Sequence, residues 1–240
     1  MRAFPRRHEL PKVTRRDTSA ISDILRVRQH VARNMNELSV NLIIIAVTCI
    51  VSMLAFGNPE LLRRLILWPP AVTRDRQYYR LVTYGLIHAD GQHLLFNMLT
   101  LYFFGRNMER FFNGHLGEFG YPIFYIGGLI VSILPSYFDN RTNAAYRSLG
   151  ASGAVSAALF ASILLQPWTM LLVFFALPIP AILYAAMYIA YSIYMDRRGD
   201  GNINHKAHLW GAAYGVAATV VTEPAVISRF LASLAHPSFR

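Results

Sequence analysis

The sequence predicts an all-α polytopic membrane protein, a bundle of six transmembrane helices with an interfacial first loop. Three observations predict it. Of the 240 residues, 54% are hydrophobic and only 15% charged, where a soluble domain carries about 25% charge. The apolar residues lie in long blocks of near-membrane length. The polar stretches between those blocks carry the turn signals and nearly all the charge. The net charge of +10 sits on tails and loops, and no zinc-finger spacing or aromatic-basic RNA motif accompanies it. A nucleic-acid partner is therefore not expected, and attraction to the anionic surface of a lipid bilayer is. Cys49 is the single cysteine, so no internal disulfide forms and the redox compartment stays open. No short apolar segment with a cleavage site opens the chain, so a removable signal peptide is not expected.

Residues 1–38 form a basic polar tail with nine of the 23 Lys/Arg. Within it Ile21, Ile24, Leu25, Arg28 and Val31 recur at helical spacing, as in a short helix resting on a membrane surface. The membrane domain spans 39–222, and 223–240 is a short C-terminal tail. The first helix is expected over 39–56, ended by Gly57-Asn58-Pro59. Residues 57–91 mix Leu, Ile and aromatic residues with five arginines and Pro69-Pro70. That is too charged to span and too apolar for a free linker, so an interfacial hairpin is expected. Further helices are expected over 92–112, 119–138, 151–166, 179–195 and 207–222. The fourth is short, about 24 Å at 1.5 Å per residue, against a hydrocarbon core about 30 Å thick. Its first residues therefore start below one membrane surface. Six spans put both termini on one side, which collects 13 basic residues against 10 on the other. Termini-inside follows from that excess.

Three polar clusters lie within or beside these blocks. His88, His93 and Asn97 form a His-x4-His-x3-Asn run, with His93 and Asn97 one turn apart on one helix face. They read either as hydrogen-bond donors into a water-excluding site or as polar groups satisfying one another between helices. Ser152, in Gly150-Ala151-Ser152-Gly153, opens the short fourth helix. Taken alone it is an N-cap; sunk in a bilayer, its hydroxyl and N–H at a helix N-terminus also suit an oxyanion. In Ala207-His208-x-x-Gly211-x-x-x-Gly215 the two glycines permit close helix approach. His208 lies one turn before them on the same face. If that face meets the small residues Gly153, Ala154, Ser156 and Ala157, the imidazole is carried toward Ser152 as a candidate general base.

In order and placement these motifs resemble the rhomboid intramembrane serine proteases, over about residues 39–222. The resemblance implies a Ser152–His208 catalytic dyad without a carboxylate, and an oxyanion hole from His93, Asn97 and the Ser152 N–H. His88 would be a supporting residue nearer the surface, and Gly150, Gly153, Gly211 and Gly215 would support the site by packing. Tyr79-Arg80 resembles the family's Trp-Arg pair of the first loop, with Tyr for Trp. Glu109, in Gly105-x-x-x-Glu109-Arg110, resembles a structural glutamate. Rhomboids often carry an aromatic residue four positions after the nucleophile, stacked on the base; here that position is Ser156. The His208 ring must then be oriented by something else, such as Tyr214, Trp210 or a rearranged packing.

The resemblance implies an intramembrane serine endopeptidase cleaving transmembrane-helix substrates through an acyl-enzyme, with no cofactor and no metal. A bacterial inner membrane with cytoplasmic termini is the expected location. Two alternatives carry weight: a rhomboid-like, non-proteolytic client-binding membrane protein, and a metal site built from His88, His93, His205 and His208.

Overall fold

The structure, a computed structural model, describes residues 39–173, 176–199 and 203–237. The basic helix expected within 1–38 lies outside them. Helix α1 (Val40–Phe56) begins where the Ser39 hydroxyl caps the Leu42 N–H. The Glu109 carboxylate reaches the same helix end. It accepts from Ser39 Oγ at 2.5 Å and from the Val40 N–H at 2.6 Å. An anion is favoured there because the first N–H groups of a helix lack internal partners.

The segment expected as an interfacial hairpin folds as three short helices and a 3-10 turn: α2 (Pro59–Leu65), α3 (Pro69–Arg74), α4 (Arg80–Thr83) and Tyr84–Leu86. Proline opens both α2 and α3, at a position where its missing N–H costs nothing. Arg80 is buried and ties the pieces together. Its guanidinium donates to the carbonyls of Arg63 (2.9 Å) and Ile66 (2.6 Å) and to the Gln77 amide oxygen (2.6 Å). The Tyr79 ring lies beside it, 5.5 Å from centroid to guanidinium carbon.

The second helix is longer than the expected 92–112. It runs as α5 (Gly91–Thr100), a π-helical turn (Leu101–Gly105) and α6 (Arg106–Leu116). At the wide turn the Leu101 carbonyl accepts from the buried Asn41 amide at 3.0 Å, and Asn41 in turn accepts from the Tyr121 hydroxyl at 2.6 Å. Helix α7 (Gly120–Asp139) and helix α8 (Ser152–Leu165) follow. After α8 the chain departs from expectation. Met170–Val173 (β1) and Leu177–Pro180 (β2) pair as an antiparallel hairpin, so the fifth helix, α9 (Ala181–Arg198), starts two residues late. Pro178 and Pro180 cannot donate within a helix, whereas an edge strand tolerates them. Helix α10 (His205–Thr222) is followed by α11 (Val226–Ala235), bent from it by 112°. The segment assigned to a short C-terminal tail thus carries a helix of its own.

Of the described helices, α7 alone is long and apolar enough by itself to cross a bilayer, and the bent pair α10–α11 qualifies if taken together. Helices α1 and α8 are apolar but have 17 and 14 residues. Charge lowers the others: Arg106, Glu109 and Arg110 in α6, and Asp196, Arg197 and Arg198 at the end of α9.

All but three of the 14 residues of α8 are buried, which makes it the central helix of the described fold. Helix α10 lies directly against it. A Cβ added to Gly211 would stand 2.1 Å from the Gly153 carbonyl oxygen, and one added to Gly215 would stand 2.1 Å from that of Ala157. Backbone faces backbone across this seam, with no side chain able to yield.

Two stability predictions follow from these contacts. Gly215→Val should destabilise the protein by about 3 kcal/mol or more, because overpacking against an unyielding neighbour lies at the upper end of its usual cost. Glu109→Ala removes an anion from two donors at the start of α1 and should cost about 2–3 kcal/mol. Thermal unfolding in detergent micelles measures both; a melting temperature unchanged in either variant would remove the contact from the stabilising set.

Candidate active site

Gly150, Ala151 and Ser152 form the turn into α8, and three parts of the chain hold it. Gly150 adopts φ +108, a conformation that side chains rarely accept, and its N–H donates to the Tyr84 carbonyl at 2.9 Å. Just upstream, Leu67 and Ser148 exchange backbone hydrogen bonds of 3.0 and 3.2 Å. Trp68 donates to the Ala144 carbonyl at 3.2 Å while Arg147 stacks on its ring. From the other side, Asn204 at the start of α10 accepts from Ser136 at 3.1 Å and donates to the Tyr146 hydroxyl at 2.9 Å. Burial pushes the Tyr146 hydroxyl above the usual phenol range, so it stays protonated in this network.

Both histidines of the His-x4-His run lie against the turn. His88 is buried, and its Nε2 accepts the Ala151 N–H at 3.3 Å. That acceptance leaves the proton of a neutral ring on Nδ1, where Ser52 Oγ waits at 3.0 Å. The Ser52 hydroxyl in turn donates a hydrogen bond to the Leu86 carbonyl at 2.9 Å. His88 therefore acts as a brace between α1 and the turn. His93 follows the α5 cap Asp90, whose carboxylate accepts the His93 N–H at 2.7 Å. Its ring packs edge-on to His88 at 4.9 Å between centroids. It also occupies the space that a Gly150 side chain would fill, with Cε1 2.6 Å from that Cβ position. Asn97 is buried one turn later and donates to the His93 carbonyl at 2.9 Å. Its amide keeps a second N–H in reserve.

The seam between α8 and α10 brings together the helices that carry Ser152 and His208. Gly153, next to Ser152, meets Gly211 and comes within 3.5 Å (from its virtual Cβ) of the Ala207 carbonyl. Ala207 and Gly211 flank His208, so the α10 backbone at His208 is held close to the N-terminal end of α8. Ser152 and His208 are both half-buried. Among the described residues no hydrogen bond joins them.

The His208 ring has neighbours that the sequence reading missed. Tyr188 of α9 stacks on it, centroids 6.0 Å apart and planes 25° apart, and His205 meets it edge-on at 5.8 Å. The Tyr188 hydroxyl is hydrogen-bonded to Ser156 Oγ at 2.8 Å. The two expected alternatives lie elsewhere. Trp210 is 50% exposed, and the Tyr214 ring stacks on Phe124 at 5.7 Å. Nothing in the local pattern of α9 marks Tyr188, since Tyr184 and Tyr191 share its spacing class. The one signal was the missing aromatic at 156. The four imidazoles fall into two pairs, His88–His93 and His205–His208. Among the described residues no three His, Cys, Asp or Glu side chains gather at metal-binding range.

His208 and Tyr188 also face a cavity of about 840 Å³. Phe96 and Phe103 border it on the second helix, Leu171 on the hairpin and Met187 on α9. Its walls are mostly apolar, of a size that accepts an organic ligand or a stretch of chain.

Comparison with known proteins bears on this arrangement. The Rhomboid domain family matches residues 75–224. The chain is 32% identical over 156 residues to the Arabidopsis thaliana "RHOMBOID-like protein 12, mitochondrial", covering 60% of this chain and 46% of the relative. It is 31% identical over 97 residues to the Bacillus subtilis (strain 168) "Putative rhomboid protease YdcA", covering 38% and 46%. It is 31% identical over 154 residues to the Arabidopsis "Rhomboid-like protein 11, chloroplastic", covering 58% and 50%. The chain spans about half the length of these curated relatives. The family match takes in the His88–Asn97 run, the Ser152 turn and the His208 helix, and the chain belongs to the rhomboid family of integral membrane proteins.

Proposed function

We propose that this protein is an intramembrane serine endopeptidase with Ser152 as nucleophile and His208 as general base. The observation that carries the reading is the glycine seam, which brings the helix of His208 against the helix that Ser152 opens. The family match and a relative named as a rhomboid protease support the same reading.

In the proposed reaction His208 takes the Ser152 hydroxyl proton as Oγ bonds to a scissile carbonyl carbon. The carbonyl oxygen becomes an oxyanion, held by the Ser152 N–H with the His93 ring and the free N–H of the Asn97 amide. Collapse breaks the C–N bond, and His208 hands its proton to the departing amine. Water then attacks the Ser152 ester and loses a proton to His208; the C–Oγ bond breaks, the acid departs, and His208 returns the proton to Ser152 Oγ. His88 positions the turn and takes no part in the proton transfers. The Gly150 backbone and the missing side chain at 150 leave room for His93 beside the nucleophile.

The substrate in this reading is a transmembrane helix that unwinds locally. It would approach through the apolar cavity between the second helix and α9, which His208 also lines. All six expected segments are taken to span, with α8 too short to reach both surfaces, so that Ser152 lies within the bilayer's thickness. Both termini then share the side with more basic residues. The bilayer is essential to the reading, whereas its identity is not. Relatives named for mitochondria and for chloroplasts leave the bacterial inner membrane without support. One observation favours the non-proteolytic alternative. The Asn97 amide is turned to the His93 carbonyl, 2.9 Å away, so one of its two N–H groups is already engaged.

The test is paired. In liposomes with a fluorogenic transmembrane substrate, Ser152→Ala and His208→Asn should abolish cleavage while the protein stays folded. Asn97→Ala should lower kcat by about 100-fold or more, the usual loss for one oxyanion donor. A fluorophosphonate should label the wild type and spare Ser152→Ala. Cleavage undiminished in Ser152→Ala would refute the assignment. A folded wild type that neither cleaves nor takes the label would favour a client-binding protein.

A further inference from the structure

A general base must present one ring nitrogen to the nucleophile, and rotation about the imidazole's own axis would scatter it. Among the described residues no hydrogen bond holds the His208 side chain, so its orientation rests on what its faces touch. One face meets Tyr188, nearly parallel and offset, within the range where aromatic rings attract. The Tyr188 ring is itself held at several points. Its hydroxyl bonds Ser156 Oγ at 2.8 Å, and the rings of Phe160 and Tyr184 pack on it at 5.4 and 5.9 Å. Ser156 is buried, one turn beyond Ser152 on the same helix. The nucleophile and the anchor of the base's support thus share one rigid element. The support itself is brought from α9, across the edge of the cavity.

We propose that Tyr188, anchored by Ser156, is the positioning residue that fixes the His208 ring. This rests on the reading of His208 as general base. A chain of three side chains, Ser156 to Tyr188 to His208, ties the ring plane to the helix that carries Ser152. Because Tyr188 belongs to α9, the orientation of the base depends on where α9 sits. The hydroxyl matters as well as the ring: without its bond to Ser156, Tyr188 keeps its contact area but loses its fixed angle.

The experiment uses the full chain in detergent micelles and in liposomes, with Tyr188→Leu, Tyr188→Phe, Ser156→Ala and the Tyr188→Phe/Ser156→Ala pair. The NMR signals of the His208 ring, identified by their loss in His208→Asn, read the positioning without reference to activity. They should shift in Tyr188→Leu as the ring current is lost, and shift less in the two single anchor variants. In cleavage assays Tyr188→Leu should lower kcat by about 10-fold, the upper end for one aromatic pair, with KM unchanged within about twofold. Tyr188→Phe and Ser156→Ala should give one shared, smaller loss that the double variant does not deepen. A His208 signal unmoved by Tyr188→Leu would overturn the proposal, and so would a loss confined to KM, which would make Tyr188 a wall of the cavity. Should Tyr188→Leu fail to fold, Ser156→Ala decides, since it leaves both rings intact: an unmoved His208 signal there overturns the proposal equally. His208 signals that shift in Tyr188→Leu, with a wild type that takes no fluorophosphonate, would uphold the ring support and bring down the protease reading instead.

Discussion

The contact on which this molecule depends is the seam where α8 and α10 touch backbone to backbone. Gly211 faces Gly153 and Gly215 faces Ala157 with no side chain between them. Lipid tails are as apolar as leucine, so helices in a bilayer gain little from hiding apolar groups. They associate by close packing, which small residues permit. Here that packing also fixes a distance. It carries Ala207 and His208 to the end of α8 where Ser152 stands, and any added methyl group along the seam would move the two apart.

Around the seam, the turn into α8 creates a second constraint. A helix of 14 residues is about 21 Å long, and the chain enters it through a buried turn at Gly150 and Ala151. A turn leaves backbone donors without helical partners, and such donors are costly away from water. The neighbouring segments answer them individually. Tyr84 takes the Gly150 N–H, His88 takes the Ala151 N–H, and Leu67 and Ser148 satisfy each other. The Ser152 N–H remains as the donor beside the proposed nucleophile. The covering made by residues 57–91, pinned through Arg80, is therefore structural support for the site more than a lid upon it.

The ring beside His208 shows how a position can change its side chain and keep its physical requirement. Serine at 156 is too small to stack on anything, yet its hydroxyl holds a tyrosine that does. The aromatic surface comes from α9, and the serine supplies the fixed point. Removing the ring from α8 also leaves that helix slim, lined by Ala154, Ala157, Ala158 and Ala161 with hardly any exposure. Slimness is what lets α7, α9 and α10 all close upon it.

Much of this was legible in the sequence, because the signals were local. Apolar blocks located the six long helical segments to within a few residues, but not the short helices of 57–91, the hairpin after α8 or α11. Glycines four apart marked a face built for close contact. His93 and Asn97 shared a helix face by spacing alone, and Pro178 and Pro180 marked a stretch that no helix runs through. Tertiary structure alone decided the rest. Sequence spacing did not single out Tyr188 from Tyr184 and Tyr191, nor lead Ser52 to His88, because those contacts join residues more than 30 positions apart. The hairpin at Met170–Pro180 likewise depends on pairing between segments, which an apolar run does not display. Periodicity determines which face a residue occupies, and only the packing of one helix against another determines what that face meets.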